Sequence, residues 1–92
     1  MIRFGLIGLG NIGKLYVGIF AADEVPGGTL KAVCNRRPPS MDLPPGVRVF
    51  NDVDDMLDSG MVDAVIVATP HPSHREIGEK VLNRGLHLMM EK

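Results

Sequence analysis

Residues 2–13 read Ile2-Arg3-Phe4-Gly5-Leu6-Ile7-Gly8-Leu9-Gly10-Asn11-Ile12-Gly13, an apolar run that passes directly into a glycine-spaced loop. Only Arg3 and Gly5 interrupt Ile2 to Ile7, the pattern of a strand buried on both faces of a parallel sheet. Beyond the loop, Ile12, Leu15, Tyr16, Ile19 and Phe20 recur at intervals of three and four, which marks an amphipathic helix. Pro26-Gly27-Gly28 closes that region, and Thr29 to Cys34 reads as a second strand. The strand ends at Asn35-Arg36-Arg37-Pro38-Pro39, where two prolines forbid a helix. The stretch to Gly46 reads as loop that gives the core few apolar residues. Val47 to Phe50 is a short third strand, followed by a helix capped by Asn51 or Asp52, with Val53, Met56 and Leu57 on one side and Ser59-Gly60 as its stop. Val62 to Ala68, polar only at Asp63, is another strand buried on both faces. Thr69 to Ser73 turns into a helix with apolar Ile77, Val81 and Leu82, ended by Gly85, and Leu86 to Met90 is the last strand.

The order is β-α-β-β-α-β-α-β with no internal repeat. Right-handed crossovers then give an α/β architecture, a partial Rossmann fold whose parallel sheet of about five strands runs 3-2-1-4-5 with helices on both faces. The 92 residues make one domain at most, and 45% hydrophobic with 23% charged residues is the balance of a globular chain. Ten Lys plus Arg against eleven Asp plus Glu leave a net charge of -1, which offers no footprint for nucleic acid or an acidic membrane surface. The one cysteine, Cys34, excludes an internal disulfide and a Cys-built metal site and suits a reducing compartment. With no cleavage-site pattern and no apolar run of about 18 residues, a cytoplasmic location is expected.

Gly8-x-Gly10-x-x-Gly13 directly follows a buried strand and opens a helix, the context a dinucleotide fingerprint requires. Gly8 is expected to make the tight turn, Gly10 to admit a pyrophosphate against the backbone, and Gly13 to allow close helix packing, with phosphates on the free N–H groups of the helix start. At the end of the second strand, where an acidic residue normally holds the adenosine ribose, stand Asn35, Arg36 and Arg37. An amide still hydrogen-bonds a ribose, while the absence of a carboxylate and the presence of two guanidinium groups favour NADP over NAD. The alternative is that Arg36 and Arg37 form a solvated turn. His71 and His74 lack a third ligand at useful spacing, so no metal is expected there. Asp52, Asp54, Asp55 and Asp58 read as a solvated acidic face, and Cys34, with no paired base, is not expected to act as a nucleophile.

Four features in order resemble the N-terminal dinucleotide-binding domain of the glucose-fructose oxidoreductase, inositol dehydrogenase and rhizopine-catabolism (Gfo/Idh/MocA) family. They are Gly8-Leu-Gly-Asn-Ile-Gly13, Ala32-Val-Cys-Asn35, Ala68-Thr-Pro-x-x-x-His74 and Gly85-x-His87-x-x-x-Glu91-Lys92. The resemblance covers all 92 residues. In the family the Glu-Lys is followed by Pro, by the rest of the cofactor domain and by a second α/β domain that contacts substrate, so residues 1–92 are expected to be an incomplete cofactor domain without its substrate domain. The resemblance implies an oxidoreductase moving a hydride between a nicotinamide cofactor and a sugar, polyol or related hydroxy compound. By position, Gly8, Gly10, Asn11, Ile12 and Gly13 hold the pyrophosphate, and Asn35, Arg36 and Arg37 the ribose or its 2′-phosphate. Thr69, Pro70, His71 and His74 line or back the cofactor groove, Glu91 lies near the nicotinamide ribose, and Lys92 orients the substrate hydroxyl and assists its proton transfer. The isolated chain is then expected to be inactive; a non-catalytic dinucleotide-binding or sensing module is the alternative. The apolar last strand, left at a sheet edge, is expected to support self-association.

Overall fold

The computed structural model describes residues 1–37, 41–69 and 74–91. The elements follow the expected order: β1 (Ile2–Ile7), α1 (Asn11–Ala21), β2 (Gly28–Cys34), β3 (Arg48–Phe50), α2 (Val53–Leu57), β4 (Ala64–Val67), α3 (His74–Asn83) and β5 (His87–Met90). All strand pairs are parallel, and the sheet order is β3-β2-β1-β4-β5, as the crossover rule requires. Among the described residues no helix is long and apolar enough to cross a membrane.

The register decides where chemistry can sit. Ile7 lies opposite both Cys34 of β2 and Val67 of β4, so the three central strands end at one level. The ladder runs one step further: the N–H of Gly8 donates to the Cys34 carbonyl (2.8 Å) and that of Ala68 to the Ile7 carbonyl (2.8 Å). Gly8, Asn35 and Ala68 therefore leave the sheet side by side along its carboxyl edge, the edge where open parallel sheets bind ligands.

Gly5 to Ile7 of β1 and all of β4 are buried and apolar because both sheet faces are covered there. Ile7, Val65 and Val67 point to one side, where Met56 and Leu57 of α2 and Val81 of α3 close a core. Leu6, Val33 and Ile66 point to the other, beneath Val17 of α1. Met41 and Leu43, in a stretch read as contributing little, also pack against this second core.

Two helices bury only part of the apolar stripe that the periodicity marked. In α1 the buried residues are Gly13 and Val17, with Tyr16 and Phe20 partly buried, whereas Ile12, Leu15 and Ile19 are 41%, 62% and 38% exposed. The apolar stripe is wider than the contact, and Gly13, one of the two glycines on the helix, lies at the closest approach. A Cβ on Gly13 would overlap the Gly8 carbonyl oxygen and stand 2.9 Å from its carbon. In α3, His74, Gly78 and Val81 are buried while Leu82 is 61% exposed, because Gly78 admits the side chains of Met90 and Leu88.

The acidic face of α2 is an interhelical ion-pair network and not merely a solvated surface. The Asp52 carboxylate accepts the Asp55 N–H (3.1 Å) as the helix cap. Asp54 meets Lys80 (3.1 Å) and Arg84 (2.9 Å) of α3, and Asp58 meets Arg84 (2.7 Å); hydrogen bonds from these cations hold both carboxyls below their usual range.

Asp63, the one polar residue expected in β4, lies just before the strand and clamps the start of β1. Arg3 donates from Nε (3.0 Å), Nη2 (2.8 Å) and its backbone N–H (2.9 Å) to the two carboxylate oxygens. These bonds lower the Asp63 carboxyl to about 2. A carboxyl lowered from its unfolded value of about 3.9 adds stability that is present above that value and is lost as the pH falls toward the folded value. Asp63→Asn is therefore expected to lower the thermal midpoint at neutral pH and to flatten its decline between about pH 4 and 2, read by circular dichroism across a pH series. Gly13→Ala, which sets a methyl against backbone and not against a movable side chain, is expected to cost about 3 kcal/mol or to prevent folding, measured by urea denaturation.

Candidate functional site

Where the three central strands end, a cleft of about 950 Å³ opens between the glycine loop, the end of β2 and the start of α2. Its backbone conformation follows from the glycines. Gly8 has φ +96°, a region L side chains rarely adopt, and a Cβ there would stand 3.0 Å from the Ala68 carbonyl group. Gly8 and Gly13 are thus both required by contacts inside the protein. Gly10 differs: a Cβ placed on it would meet no atom within 4 Å, and its backbone faces the cleft. The absence of a side chain at Gly10 leaves room that the protein itself does not use.

Gly10 is also the N-cap of α1, and no side-chain hydrogen bond caps the helix. Its first turn contains no acidic residue. The first amides of an α-helix have no intrahelical acceptor, so this end concentrates partial positive charge with nothing in the helix to quench it. The start of α2 borders the same cleft but is capped by Asp52 and carries Asp54 and Asp55 in its first turn. Of the two helix starts, only that of α1 is free for an anion.

The cleft gathers most of the residues singled out from the sequence. Gly8, Gly10, Asn11 and Ile12 line it on one side, Asn35, Arg36 and Arg37 on the second, and Thr69 and Glu91 on the third. Arg36 and Arg37 are exposed, and neither forms an ion pair with a described residue. Asn35 is half-buried; its Oδ1 accepts the Leu9 N–H (3.3 Å) and its Nδ2 donates to the Arg37 carbonyl (3.0 Å). Thr69 Oγ1 is buried with no hydrogen-bond partner among the described residues, an uncommon state for a polar atom.

Gly13 and His74 do not line the cleft. Gly13 sits beneath the loop against Gly8. His74, 7% exposed at the start of α3, donates from Nε2 to the Thr69 carbonyl (2.6 Å) and so holds the backbone that bears the lining residue. Pro70, His71 and Lys92 lie outside the described residues.

Tyr16 is the site residue that sequence reasoning missed. Its hydroxyl, reaching from α1, donates to the Glu91 carboxylate and so ties the residue after β5 to the helix behind the glycine loop. The signal available was that Tyr16, the only tyrosine, falls one turn after Ile12 on the helix that the loop opens. Lys80 and Glu76 of α3 also line the cleft. Cys34 lies at its floor; burial, then the charges of Asp52 and Asp55, push the thiol up to about 11, so it stays protonated and unreactive at neutral pH.

An uncapped helix start, a bare glycine facing open space, an orphaned hydroxyl and two unpaired guanidinium groups in one cleft fit an elongated ligand carrying phosphates and hydroxyls, such as a dinucleotide. Comparison with known proteins agrees. The rhizopine catabolism protein MocA of Rhizobium meliloti is 28% identical over 98% of this chain, which spans 28% of that protein's length. The inositol 2-dehydrogenase of Leifsonia xyli is 30% identical over 99% of this chain, which spans 27% of its length. Among solved structures, scyllo-inositol dehydrogenase from Lactobacillus casei with bound NAD(H) and scyllo-inositol superposes on the whole chain with a TM-score of 0.90 and 33% identity, the chain matching 28% of it. The WlbA dehydrogenase of Bordetella pertussis, in complex with NADH and UDP-GlcNAcA, gives a TM-score of 0.86 and 34% identity over 99% of this chain and 29% of that one. The model of the Gfo/Idh/MocA oxidoreductase family, NAD-binding Rossmann fold, matches residues 2–92, and the chain belongs to this family.

Proposed function

We propose that residues 1–92 form the cofactor-holding part of an NAD(P)-dependent dehydrogenase acting on a CH–OH group of a sugar, polyol or related hydroxy compound. The observation that carries this reading is the contrast among the three glycines: two are bare because protein packs against them, and Gly10 is bare toward open space at an uncapped helix start. That is the arrangement a pyrophosphate needs to reach the backbone. When bound, a nicotinamide dinucleotide supplies the two-electron chemistry by accepting or donating a hydride.

The residues divide the remaining work. Gly10, Asn11 and Ile12 hold the phosphates at the open start of α1, Gly8 makes the turn that brings them there, and Gly13 keeps the helix close enough for them to converge. Thr69 offers its hydroxyl, backed by His74, and Pro70 and His71 are assigned to the cofactor by their place in the family pattern. Glu91, oriented by Tyr16, lies toward the nicotinamide ribose. Lys92 orients the substrate hydroxyl and takes up or returns its proton. Arg36 and Arg37 favour a 2′-phosphate, making NADP the preferred dinucleotide; the absence of a carboxylate at Asn35 supports this, since nothing there repels the phosphate. NAD(H) and NADH in the two related structures set the other side of the comparison.

Substrate contacts belong to a further domain, as the chain's share of its relatives' length suggests, and these 92 residues alone carry no turnover. We assign the protein to the cytoplasm, where a buried free thiol is maintained. The unpaired outer edge of β5, with Met89 50% and Met90 38% exposed, supports self-association.

Calorimetric titration of the chain is expected to show saturable NADP binding that exceeds NAD binding, with Arg36→Ala plus Arg37→Ala lowering NADP affinity about tenfold or more and leaving NAD nearly unchanged. Stronger binding of NAD by the unaltered chain would overturn the cofactor preference, and no binding of either would overturn the site. Sedimentation at increasing concentration is expected to show a dimer that Met89→Lys dissociates; a monomer throughout would remove the edge-pairing proposal.

A further inference from the structure

We infer that Asn35 is a positioning residue for 2′-phosphate selectivity: its amide fixes the turn that carries Arg36 and Arg37 to the glycine loop, and it acts on the nucleotide through those arginines. The inference rests on the proposed placement of the 2′-phosphate at Arg36 and Arg37.

Three bonds anchor Asn35. Its backbone N–H donates to the Phe50 carbonyl of β3 (3.0 Å), its Oδ1 accepts the Leu9 N–H (3.3 Å), and its Nδ2 donates to the Arg37 carbonyl (3.0 Å). The side chain therefore spends one acceptor site and one donor on the protein, and the two bonds run to opposite partners: a loop N–H and a turn carbonyl. A primary amide provides the two functions on separate atoms of one short side chain. A carboxylate at this position keeps the bond from Leu9 but meets the Arg37 carbonyl with a second acceptor, which repels it.

Among the described residues, no ion pair holds this turn. Arg36 and Arg37 are exposed and form no ion pair with a described residue. The carboxylates of Asp52 and Asp54 line the same cleft and compete with a phosphate for guanidinium groups, although Asp54 is already engaged by Lys80 and Arg84. A guanidinium recognises a phosphate best in one fixed, two-pronged orientation. Holding the Arg37 carbonyl from Asn35 orients that segment relative to the very loop that receives the pyrophosphate. The distance between the two phosphate-binding points is thereby set by one amide. This differs from the expectation that the Asn35 amide itself meets the ribose.

The test compares NADP and NAD affinities, by titration calorimetry, for four forms of the chain: unaltered, Asn35→Leu, Arg36→Ala plus Arg37→Ala, and all three changes together. Asn35→Leu is nearly isosteric and removes both side-chain bonds. It is expected to lower the ratio of NADP to NAD affinity about fivefold, the effect of one net hydrogen bond. In the double-alanine background the same change is expected to leave the ratio unaltered, because the residues through which it acts are gone. Asn35→Ala, which removes both side-chain bonds without adding bulk, serves if the leucine variant fails to fold, and the same pattern is expected. A ratio unchanged by Asn35→Leu overturns the inference, as does a fall in the ratio that persists without the arginines, which would mean that Asn35 touches the nucleotide itself. If the unaltered chain binds NADP no better than NAD, the arginine reading fails first, and this inference with it.

Discussion

The first turn of α1 rests on the carbonyl of Gly8 with no room for a side chain between them, and the geometry of the cleft depends on that contact. Gly8 is in turn fixed from both sides, by its bond to Cys34 of β2 and by the packing of Ala68 and Thr69 beyond β4. A loop with a left-handed residue would ordinarily sample several paths. Here the neighbouring strand ends leave it one, and the helix that follows must point its open N–H groups into the space above the sheet. The residues that would touch a ligand are thus placed by residues that do not.

That division runs through the site. His74 holds the backbone of Thr69, Tyr16 holds the carboxylate of Glu91, and the Asn35 amide holds the turn before Pro38. Each supporting group arises from a different element: α3, α1 and the end of β2. These elements converge at the carboxyl edge of the sheet, so the fold and the site are specified by the same packing. The ion pairs between α2 and α3 are half-exposed and contribute little each, but they keep acidic α2 oriented beside the cleft.

Most of the fold was legible because β4 and the second half of β1 are buried on both faces and carry no polar side chain, a signal that amphipathic strands do not give. The glycine loop was legible because backbone requirements leave glycine little substitute. The inward side of α2 was read from Val53, Met56 and Leu57, but how much of the apolar stripe of α1 meets the sheet could not be read. Ile12, Leu15 and Ile19 made a convincing stripe, yet contact distance selected Gly13, a residue that hydropathy ignores. Partners far apart in sequence were equally hidden: Arg3 and Asp63 are 60 residues apart, and Asp54 and Lys80 are 26. Asn35 was visible as a departure from an acidic residue, but its bonds to Leu9 and Arg37 depend on where two loops converge, which no local pattern encodes.

Cys34 gives the site a property of a different kind. It is the only cysteine, its carbonyl accepts the Gly8 N–H, and its thiol is buried beneath the cleft with ionisation pushed up to about 11. A thiol so placed is shielded from alkylating reagents while β2 and the loop remain closed, and reacts only during excursions that separate them. The rate at which a small thiol reagent consumes it therefore reports how often this corner of the molecule breathes. A ligand that pins the loop slows that breathing, so the chain carries its own kinetic gauge of occupancy.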